Sequence, residues 1–189
     1  MPLEPNFTPF PLLETPRLHL RRVTMNDVPG IFAMRSDKEM MRYIDRPLAQ
    51  TEDDARALVE RMDTALQHND GINWAITLKD DDRLAGLVSF WRMDKENYRA
   101  ETGYMLQKHL QGKGLMKEAL YAVLHYGFFT LNLHSVEANI NPANEASAKL
   151  AESLGFVKEA YFRENYYYNG QFLDSVIYSL LVSDFKPVA

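Results

Sequence analysis

The chain has 189 residues, of which 46% are hydrophobic and 25% charged, and its formal net charge is −5. At about 150 residues per domain, these values predict one globular domain and exclude a disordered or fibrous chain. The negative balance argues against a surface that binds duplex nucleic acid through its phosphates, so no nucleic-acid partner is expected. The chain has no cysteine, which excludes disulfides, thiolate metal sites and a cysteine nucleophile.

The histidine spacing and the hydropathy pattern argue against a metalloprotein and a membrane protein. None of the five histidines has the spacing of a metal-ligand motif, so no metal is expected. The sequence shows neither a basic region followed by an apolar stretch at its start nor an apolar run near 18 residues. These patterns predict a cytoplasmic protein that makes no membrane contact.

The first third of the chain is predicted to form an arm, a strand and short helices. Four prolines among the first dozen residues favour an extended arm over residues 1–13, and a strand is expected to begin at Leu18. Between Thr24 and Tyr43 the apolar pattern is helical but interrupted near Pro29 and Gly30. This region is predicted to form two short helices and a loop.

The middle of the chain changes from helical to alternating periodicity. Thr51-Glu52-Asp53-Asp54 resembles a capping box and starts an amphipathic helix that is expected to end near His68. The acidic run at 80–82 is predicted to be a hairpin tip rather than a metal loop. Three strands are predicted in this segment, and they form an antiparallel meander: Asn73 to Leu78, Leu84 to Trp91 and Glu101 to Leu106.

The second half has the order strand, glycine loop, helix, strand. Gln111-Gly112-Lys113-Gly114 precedes a helix of about four turns, and alternation over 136–140 predicts the next strand, which makes a right-handed parallel crossover. A helix over 145–153, closed by Gly155, leads to two last strands joined at Asn169-Gly170. The sequence therefore predicts a mixed α/β fold of the α+β type.

The glycine loop has the chemistry of an anion site. Glycines let backbone N–H groups approach a ligand closely, and the first amides of the following helix point outward at its positive end. Such a turn suits a phosphate. It lacks the P-loop spacing and the third glycine of a dinucleotide fingerprint, because Gln107 and Lys117 stand at the required positions. The alternative is a tight connection with a solvated Lys113.

Motifs spread along the chain resemble the GNAT acetyltransferases. Gln111-Gly112-Lys113-Gly114-Leu115-Met116 resembles the pyrophosphate loop of that superfamily. Other segments resemble its ribosomal-protein N-terminal (alanine/serine) acetyltransferase branch, and the resemblance covers residues 14–182. These segments are Glu14-Thr15-Pro16-Arg17-Leu18, Glu101-Thr102-Gly103-Tyr104, Asn141-Pro142 with Asn144 and Ser147, Leu154-Gly155-Phe156, and Arg163-Glu164 with Asn169-Gly170.

The resemblance implies a fold, a domain and a cosubstrate. The fold would be a sheet of about seven strands, mostly antiparallel, with a central parallel β-α-β crossover and strands splayed for acetyl-CoA. Residues 14–184 would form a single N-acetyltransferase domain. The pantetheine arm would pair with the free edge of one strand, and the loop would hold the pyrophosphate. The implied acetyl-CoA site consists of Tyr104, Met105, Leu106, Gln111, Gly112, Lys113, Gly114, Leu115, Met116, Asn144 and Ser147.

The catalytic groups follow from what acyl transfer to an amine requires. The reaction needs a neutral nucleophile, a donor to the carbonyl oxygen and a proton for the leaving sulfur. Many relatives place a tyrosine four residues before the Gly-Phe pair to supply that proton, but Ala151 stands there. Ser147 is the main candidate instead, with Tyr166 or Tyr167 as others, and a serine bonded to the preceding turn as the structural alternative.

Two carboxylates are candidates for the base. Glu101 and Glu164 could each take the proton of the amine, directly or through water, although either could equally form a surface salt bridge. The resemblance implies that the backbone N–H near Met105 polarises the thioester carbonyl. The acceptor wall would come from residues 34–50 and from the final hairpin with Tyr166, Tyr167 and Tyr168.

The sequence predicts an acetyl-CoA-dependent N-acetyltransferase acting on a primary amine. The amine could be a protein N-terminus or a small amine such as a polyamine, an amino acid or an antibiotic. Alternatives are a non-catalytic acyl-CoA-binding or regulatory module on the same fold and a nucleotide-binding α/β domain. The expected partners are acetyl-CoA and an amine acceptor, and the chain is expected to be a monomer or homodimer.

Overall fold

In a computed structural model, which describes residues 2–186, the chain forms one eight-stranded sheet. The strands are β1 (Leu13–Glu14), β2 (Leu18–Arg22), β3 (Ile72–Leu78), β4 (Asp81–Asp94), β5 (Arg99–Leu106), β6 (Ser135–Ile140), β7 (Val157–Tyr168) and β8 (Gln171–Leu181). The α-helices are α1 (Val28–Ser36), α2 (Glu52–Gln67), α3 (Leu115–Phe129) and α4 (Glu145–Ser153). No helix of the described range is long and apolar enough to cross a membrane.

The sheet confirms the predicted fold class. Its order is β1-β2-β3-β4-β5-β6-β8-β7, and every neighbouring pair is antiparallel except β5 and β6. Helix α3 joins those two parallel strands, as the crossover pattern predicted. The sheet has eight strands rather than about seven because Leu13 and Glu14 pair with Leu20 and His19.

Two segments show how the local predictions compare with the structure. The two short helices and the loop expected between Thr24 and Tyr43 are a 3₁₀ helix, Met25–Asp27, that runs into α1, followed by turns up to Tyr43. The Asp37 carboxylate accepts hydrogen bonds from the backbone N–H groups of Glu39 and Met40, at 2.7 and 3.1 Å, and stabilises the first of these turns. The tip of the β3–β4 hairpin is shorter than predicted, because Asp81 already pairs with Leu78.

The sheet separates two hydrophobic clusters. The larger one includes Leu120 and Leu124 of α3, and the smaller one includes Ile31 of α1 and Val59 of α2. Part of the predicted arm joins the larger cluster, since the side chain of Phe7 is buried there. The helices α1 and α2 therefore cover one face of the sheet, and α3 covers the other.

The parallel strands β5 and β6 separate partway along their length. They pair from Arg99 with Ser135 to Glu101 with Glu137, and no pair follows. On its other side, β5 stays paired with β4 as far as Leu106. The edge of β5 that faces β6 is consequently without a strand partner over residues 102–106, which is the splayed geometry that the resemblance implied.

Candidate functional site

The loop between β5 and α3 contains two glycines in the left-handed region. The φ angle is +74° at Gly112 and +76° at Gly114, which directly precedes α3. A side chain is strained at such angles, which accounts for glycine at both positions. A Cβ added at Gly112 would meet no heavy atom within 4 Å, so the backbone conformation and not crowding accounts for the glycine there.

The backbone of this loop offers unused hydrogen-bond donors. The first backbone bond of α3 runs from the N–H of Glu118 to the carbonyl of Gly114. Within residues 2–186, the six preceding N–H groups, of residues 112–117, donate to no backbone or side-chain acceptor. Six free donors at the positive end of a 15-residue helix form a site for an anion.

Side chains fasten the loop at both ends. The Gln111 amide donates to the carbonyl oxygen of Leu106 at 2.9 Å, which ties the loop to the end of β5. The guanidinium of Arg17 donates to the carbonyl oxygen of Lys113 at 3.0 Å. Both bonds are accepted by backbone carbonyl oxygens, so the backbone N–H groups of the loop stay free. Sequence reasoning identified the first residue but missed the role of Arg17.

The Arg17 contact is held by a carboxylate in the first turn of α3. Glu118 accepts from Thr15 Oγ1 at 2.6 Å, from the Arg17 N–H at 2.9 Å and from Arg17 Nε at 2.6 Å. Burial opposes ionisation, but these hydrogen bonds outweigh it, so the pKa of the Glu118 carboxyl lies below its ordinary value. The segment Thr15–Arg17 is thereby anchored to α3 beside the glycine loop.

On the α4 side of the open strand edge, Tyr104 meets Ser147. The Tyr104 hydroxyl and Ser147 Oγ form a hydrogen bond of 2.7 Å. Asn144 precedes α4 and its side-chain oxygen accepts from the Ser147 N–H at 3.1 Å. Burial raises the pKa of Tyr104, so its hydroxyl keeps its proton. Ser147 therefore bonds across to β5 and not to the preceding turn of its helix.

Glu101 lies at the last paired position before the strands separate. Its side chain is 14% exposed, and Arg92 Nη1 contacts its carboxylate at 3.1 Å. Burial raises the pKa of Glu101, and the repulsion of Glu137 adds to it, while the charges of Arg92 and Arg46 act against it. Glu101 and Tyr104 are three residues apart on one strand, so their side chains point to opposite faces of the sheet.

The final hairpin contacts the loop that follows α1. The Tyr166 hydroxyl donates to the Asp45 carboxylate, and burial together with this bond raises the pKa of Tyr166. Tyr167 points to the other side of its strand, where its ring packs at 5.1 Å from that of Phe172. The two segments that were predicted as the acceptor wall are therefore in contact, through Tyr166 and Asp45.

Glu164 lies apart from the other candidates. It is exposed on the edge strand β7, and its backbone N–H donates to Asp174 at 2.7 Å. In the described part of the chain, no hydrogen bond or ion pair joins Glu164 to Glu101 or Ser147. The geometry brings Ser147 together with Tyr104 and Asn144. Glu101 faces the opposite side of the sheet, and Glu164 is on β7, which β6 and β8 separate from β5.

The sheet opens beside a glycine-rich helix start, which suits a ligand with a phosphate and amide groups, and comparison with known proteins shows the family. Residues 17–157 match the acetyltransferase (GNAT) domain, and the chain belongs to this family. It is an acetyltransferase, so the alternatives of a non-catalytic module and a nucleotide-binding domain are set aside.

Individual relatives agree with this assignment. The chain is 34% identical over 172 residues to the uncharacterized N-acetyltransferase YoaA of Bacillus subtilis (strain 168), covering 91% of this chain and 97% of the relative. It is 35% identical over 109 residues to the ribosomal protein uS5-alanine N-acetyltransferase of Escherichia coli (strain K12), covering 57% and 56%. Its fold is similar to that of a solved ribosomal L7/L12 alpha-N-protein acetyltransferase in complex with coenzyme A, with a TM-score of 0.81, 22% identity, and coverage of 90% and 98%.

Proposed function

We propose that this acetyltransferase moves the acetyl group of acetyl-CoA to a primary amine, either the α-amine of a protein or a small amine of similarly low pKa. The observation that carries the proposal is the row of six free N–H groups at residues 112–117, next to the unpaired edge of β5. The donors suit a diphosphate, and an open strand edge suits a ligand with amide groups. Acetyl-CoA contains both, and it supplies an activated thioester.

The contacts of the described residues support the acetyl-CoA site that was expected from the sequence. Lys113 is exposed beside the free amides, and within residues 2–186 no carboxylate lies within 4.0 Å of its amine, which suits a phosphate contact. The backbone of Tyr104, Met105 and Leu106 provides the open strand edge. Asn144 and Ser147 lie across the gap on α4. In this arrangement the backbone makes most of the contacts, so it tolerates substitution of many side chains.

Glu101 is the better supported base. Its carboxylate is mostly buried on the face covered by α1 and α2, and its raised pKa makes it a stronger proton acceptor than an exposed glutamate. We assign it the proton that the amine nitrogen loses as the new nitrogen–carbon bond forms. Glu164 is the second candidate, but its exposure and its position on β7 support it less.

Ser147 is the better supported proton donor to the sulfur. The carbon–sulfur bond breaks in the same reaction, and the thiolate needs one proton. Ser147 Oγ passes its proton to the thiolate as it takes the proton of Tyr104, which is protonated beforehand because burial raises its pKa, and the tyrosinate then regains a proton from solvent. Tyr166 is less suitable because its hydroxyl already donates a hydrogen bond to the Asp45 carboxylate. The pair of hydroxyls thus supplies what Ala151 cannot.

The acceptor class follows from the proton that must be removed. At pH 7, neutralising an α-amine with a pKa of about 7.8 costs about 1 kcal/mol, whereas a lysine side chain with a pKa of about 10.4 costs about 4.6 kcal/mol. The Glu101 carboxylate is a single base whose charge is partly balanced by Arg92, so it is not suited to removing a proton from a strongly basic amine. This difference favours an α-amine or another amine of low pKa.

An acetylation assay tests the proposal. Release of free CoA thiol would be measured with a disulfide dye against short peptides with a free α-amine, matched peptides with a blocked α-amine and a free lysine, and a set of small amines. We expect release with the free α-amine peptides or with low-pKa small amines, and a mass increase on that nitrogen. Faster acetylation of the lysine peptides than of every α-amine would contradict the proposal. The Gly114→Trp variant, which is expected not to bind CoA, is the control and should release no thiol.

A further inference from the structure

Strand β4 contains a bulge directly after the residue that pairs with Glu101. The register of β4 against β5 shifts between Trp91 and Asp94, because β4 has two residues there, Arg92 and Met93, where β5 has one. Arg92 has a φ of +47°, a left-handed conformation that strains a residue with a side chain. Bulges of this kind bend the strand and redirect a side chain. The bulge therefore determines where the side chain of Arg92 points.

The guanidinium of Arg92 contacts two side chains on the face of the sheet that carries Glu101. Trp91 and Glu101 are directly paired, so their side chains lie on the same face, and strict alternation would send Arg92 to the other one. Instead, the guanidinium carbon of Arg92 lies 4.3 Å from the centroid of the Trp91 ring, and Nη1 lies 3.1 Å from Glu101 Oε2. A guanidinium over an indole face is attracted by the ring. We call Trp91, Arg92 and Glu101 the bulge cluster.

The bulge cluster holds one oxygen of the Glu101 carboxylate and leaves the other one open. Oε2 accepts the hydrogen bond from Arg92, and within residues 2–186 no donor is bonded to Oε1. The buried pair of Arg21 and Asp27 is different, because there both carboxylate oxygens accept from the guanidinium. A contact through one oxygen orients the Glu101 carboxylate while Oε1 stays available for a proton.

The same face is open beside the carboxylate. Gly103 follows Glu101 by two residues on β5 and shares its face. A Cβ added at Gly103 would lie 3.5 Å from Ser89 Oγ and 3.7 Å from Trp91 Nε1, and apart from its chain neighbours it would meet no other heavy atom within 4 Å. The indole edge and Gly103 thus leave room for a small group such as an amine next to Glu101.

We propose that Arg92 is a positioning residue for acetyl transfer: held by the bulge and by Trp91, it fixes the Glu101 carboxylate so that Oε1 faces the incoming amine. The inference rests on the proposed role of Glu101 as the base. Oε1 takes the proton that the amine nitrogen loses as the nitrogen–carbon bond forms. Arg92 keeps its own proton throughout, because a guanidinium is not deprotonated in proteins.

Three charged side chains act on Glu101, and they come from three different elements. Arg92 on β4 contacts the carboxylate directly, and Arg46 in the loop after α1 acts in the same direction. Glu137 on β6 is paired with Glu101 and opposes them, although it is itself bonded to Arg99. Removal of Arg92 therefore raises the pKa of Glu101 further. A neighbouring opposite charge changes a carboxyl pKa by about 1–3, and the exposure of the Arg92 side chain favours the lower end, about 1.

Two titrations test this inference. The first is the pH profile of kcat at saturating acetyl-CoA and one saturating amine, and the second is the carboxyl ¹³C signal of Glu101 without amine, assigned with Glu101→Gln. Arg92→Gln is expected to move the acidic limb and the carboxyl titration to higher pH by about one unit. It is also expected to lower the kcat plateau about tenfold, because the carboxylate loses its orientation.

Further variants separate the charge of Arg92 from its geometry. Arg92→Lys keeps the charge but not the planar group, so the limb should return to its original position while the plateau stays low. Trp91→Leu removes the ring under the guanidinium and should also lower the plateau with little shift of the limb, whereas Trp91→Phe should lower it less. Arg22→Gln is the matched control, since Arg22 is another exposed arginine with one carboxylate contact, to Asp63 at 2.9 Å, and it should change neither titration.

The outcomes distinguish this inference from the proposed function. If Arg92→Gln leaves both titrations unshifted, the positioning role is overturned even where kcat falls, because a purely structural loss would lower the rate alone. Glu101 would remain the base in that case as long as Glu101→Gln removes the limb. If Glu101→Gln keeps its rate and its limb, the base assignment and this inference are both overturned, while thiol release that depends on an amine would still support acetyl transfer.

Discussion

The hydrogen bond between Tyr104 and Ser147 predicts that removing the two hydroxyls does not have independent effects on the rate. A well-placed general acid contributes about 10²–10⁴-fold, so Ser147→Ala is expected to lower kcat by at least about 100-fold. Tyr104→Phe leaves Ser147 in place but removes its 2.7 Å partner. The loss of one buried hydrogen bond is worth about 1.4 kcal/mol, which corresponds to about tenfold in kcat.

The double variant decides whether the two residues act as one unit. If Tyr104 acts only through Ser147, the double variant is expected to be no slower than Ser147→Ala alone, about 100-fold below the original chain. Independent contributions would multiply to about 1,000-fold. The values of kcat and of the KM for acetyl-CoA would be measured by thiol release at saturating amine.

A matched control uses another tyrosine. Tyr166→Phe also loses a hydroxyl, but on the acceptor side, where it is bonded to Asp45, and it is expected to change the KM of the amine more than kcat. Additive losses in the double variant, or an unchanged kcat in Ser147→Ala, would refute the reasoning that Ser147 delivers the proton with the help of Tyr104.

Three further predictions concern the base, the anchor and the loop. Burial raises the pKa of Glu101, so activity should fall as pH decreases through that raised pKa, and Glu101→Gln should remove this acidic limb of the kcat/KM profile along with most of the rate. Because the pKa of Glu118 is lowered in the folded state, its stabilisation is present above its unfolded value, near 4.5, and is lost as pH falls through the folded one. Glu118→Gln should therefore lower Tm by about 4–8 °C at pH 7, for a cost of about 2 kcal/mol, and by less near pH 3; an equal loss at both pH values would contradict the role of its charge. Gly114→Trp should abolish CoA binding in calorimetry, because a side chain at φ +76° is strained and the new ring would fill the loop, while Arg17→Gln should weaken binding without abolishing it.

Local signals in the sequence predicted much of the fold. Helix α4 was predicted with its observed bounds because Asn144 caps its start and Gly155, at φ +96°, ends it. The turn at Asn169-Gly170 has both residues at positive φ, as the pair of residues indicated. Apolar periodicity did not locate the bounds between Thr24 and Tyr43, where α1 ends at Ser36 and Met40 and Met41 lie in turns.

The parts of the site that depend on distant contacts could not be predicted. Arg17 and Glu118 are 101 residues apart and Tyr104 and Ser147 are 43 apart, so only the folded chain shows that they bond. The sequence did indicate the loop, because glycine at positive φ is a local requirement.

The alternation of side chains along β5 accounts for how one short strand can serve two proton transfers. Residues at even spacing share a face, so Glu101 with Met105 faces α1 and α2, whereas Tyr104 faces α4. The proposed base thus meets the acceptor on one face, and the proposed acid meets the sulfur on the other. A one-residue shift in the pairing of β5 with β4 would exchange these faces. The continuous pairing from Glu101 with Trp91 to Leu106 with Gly86 fixes the register, and with it the side of the sheet on which each proton moves.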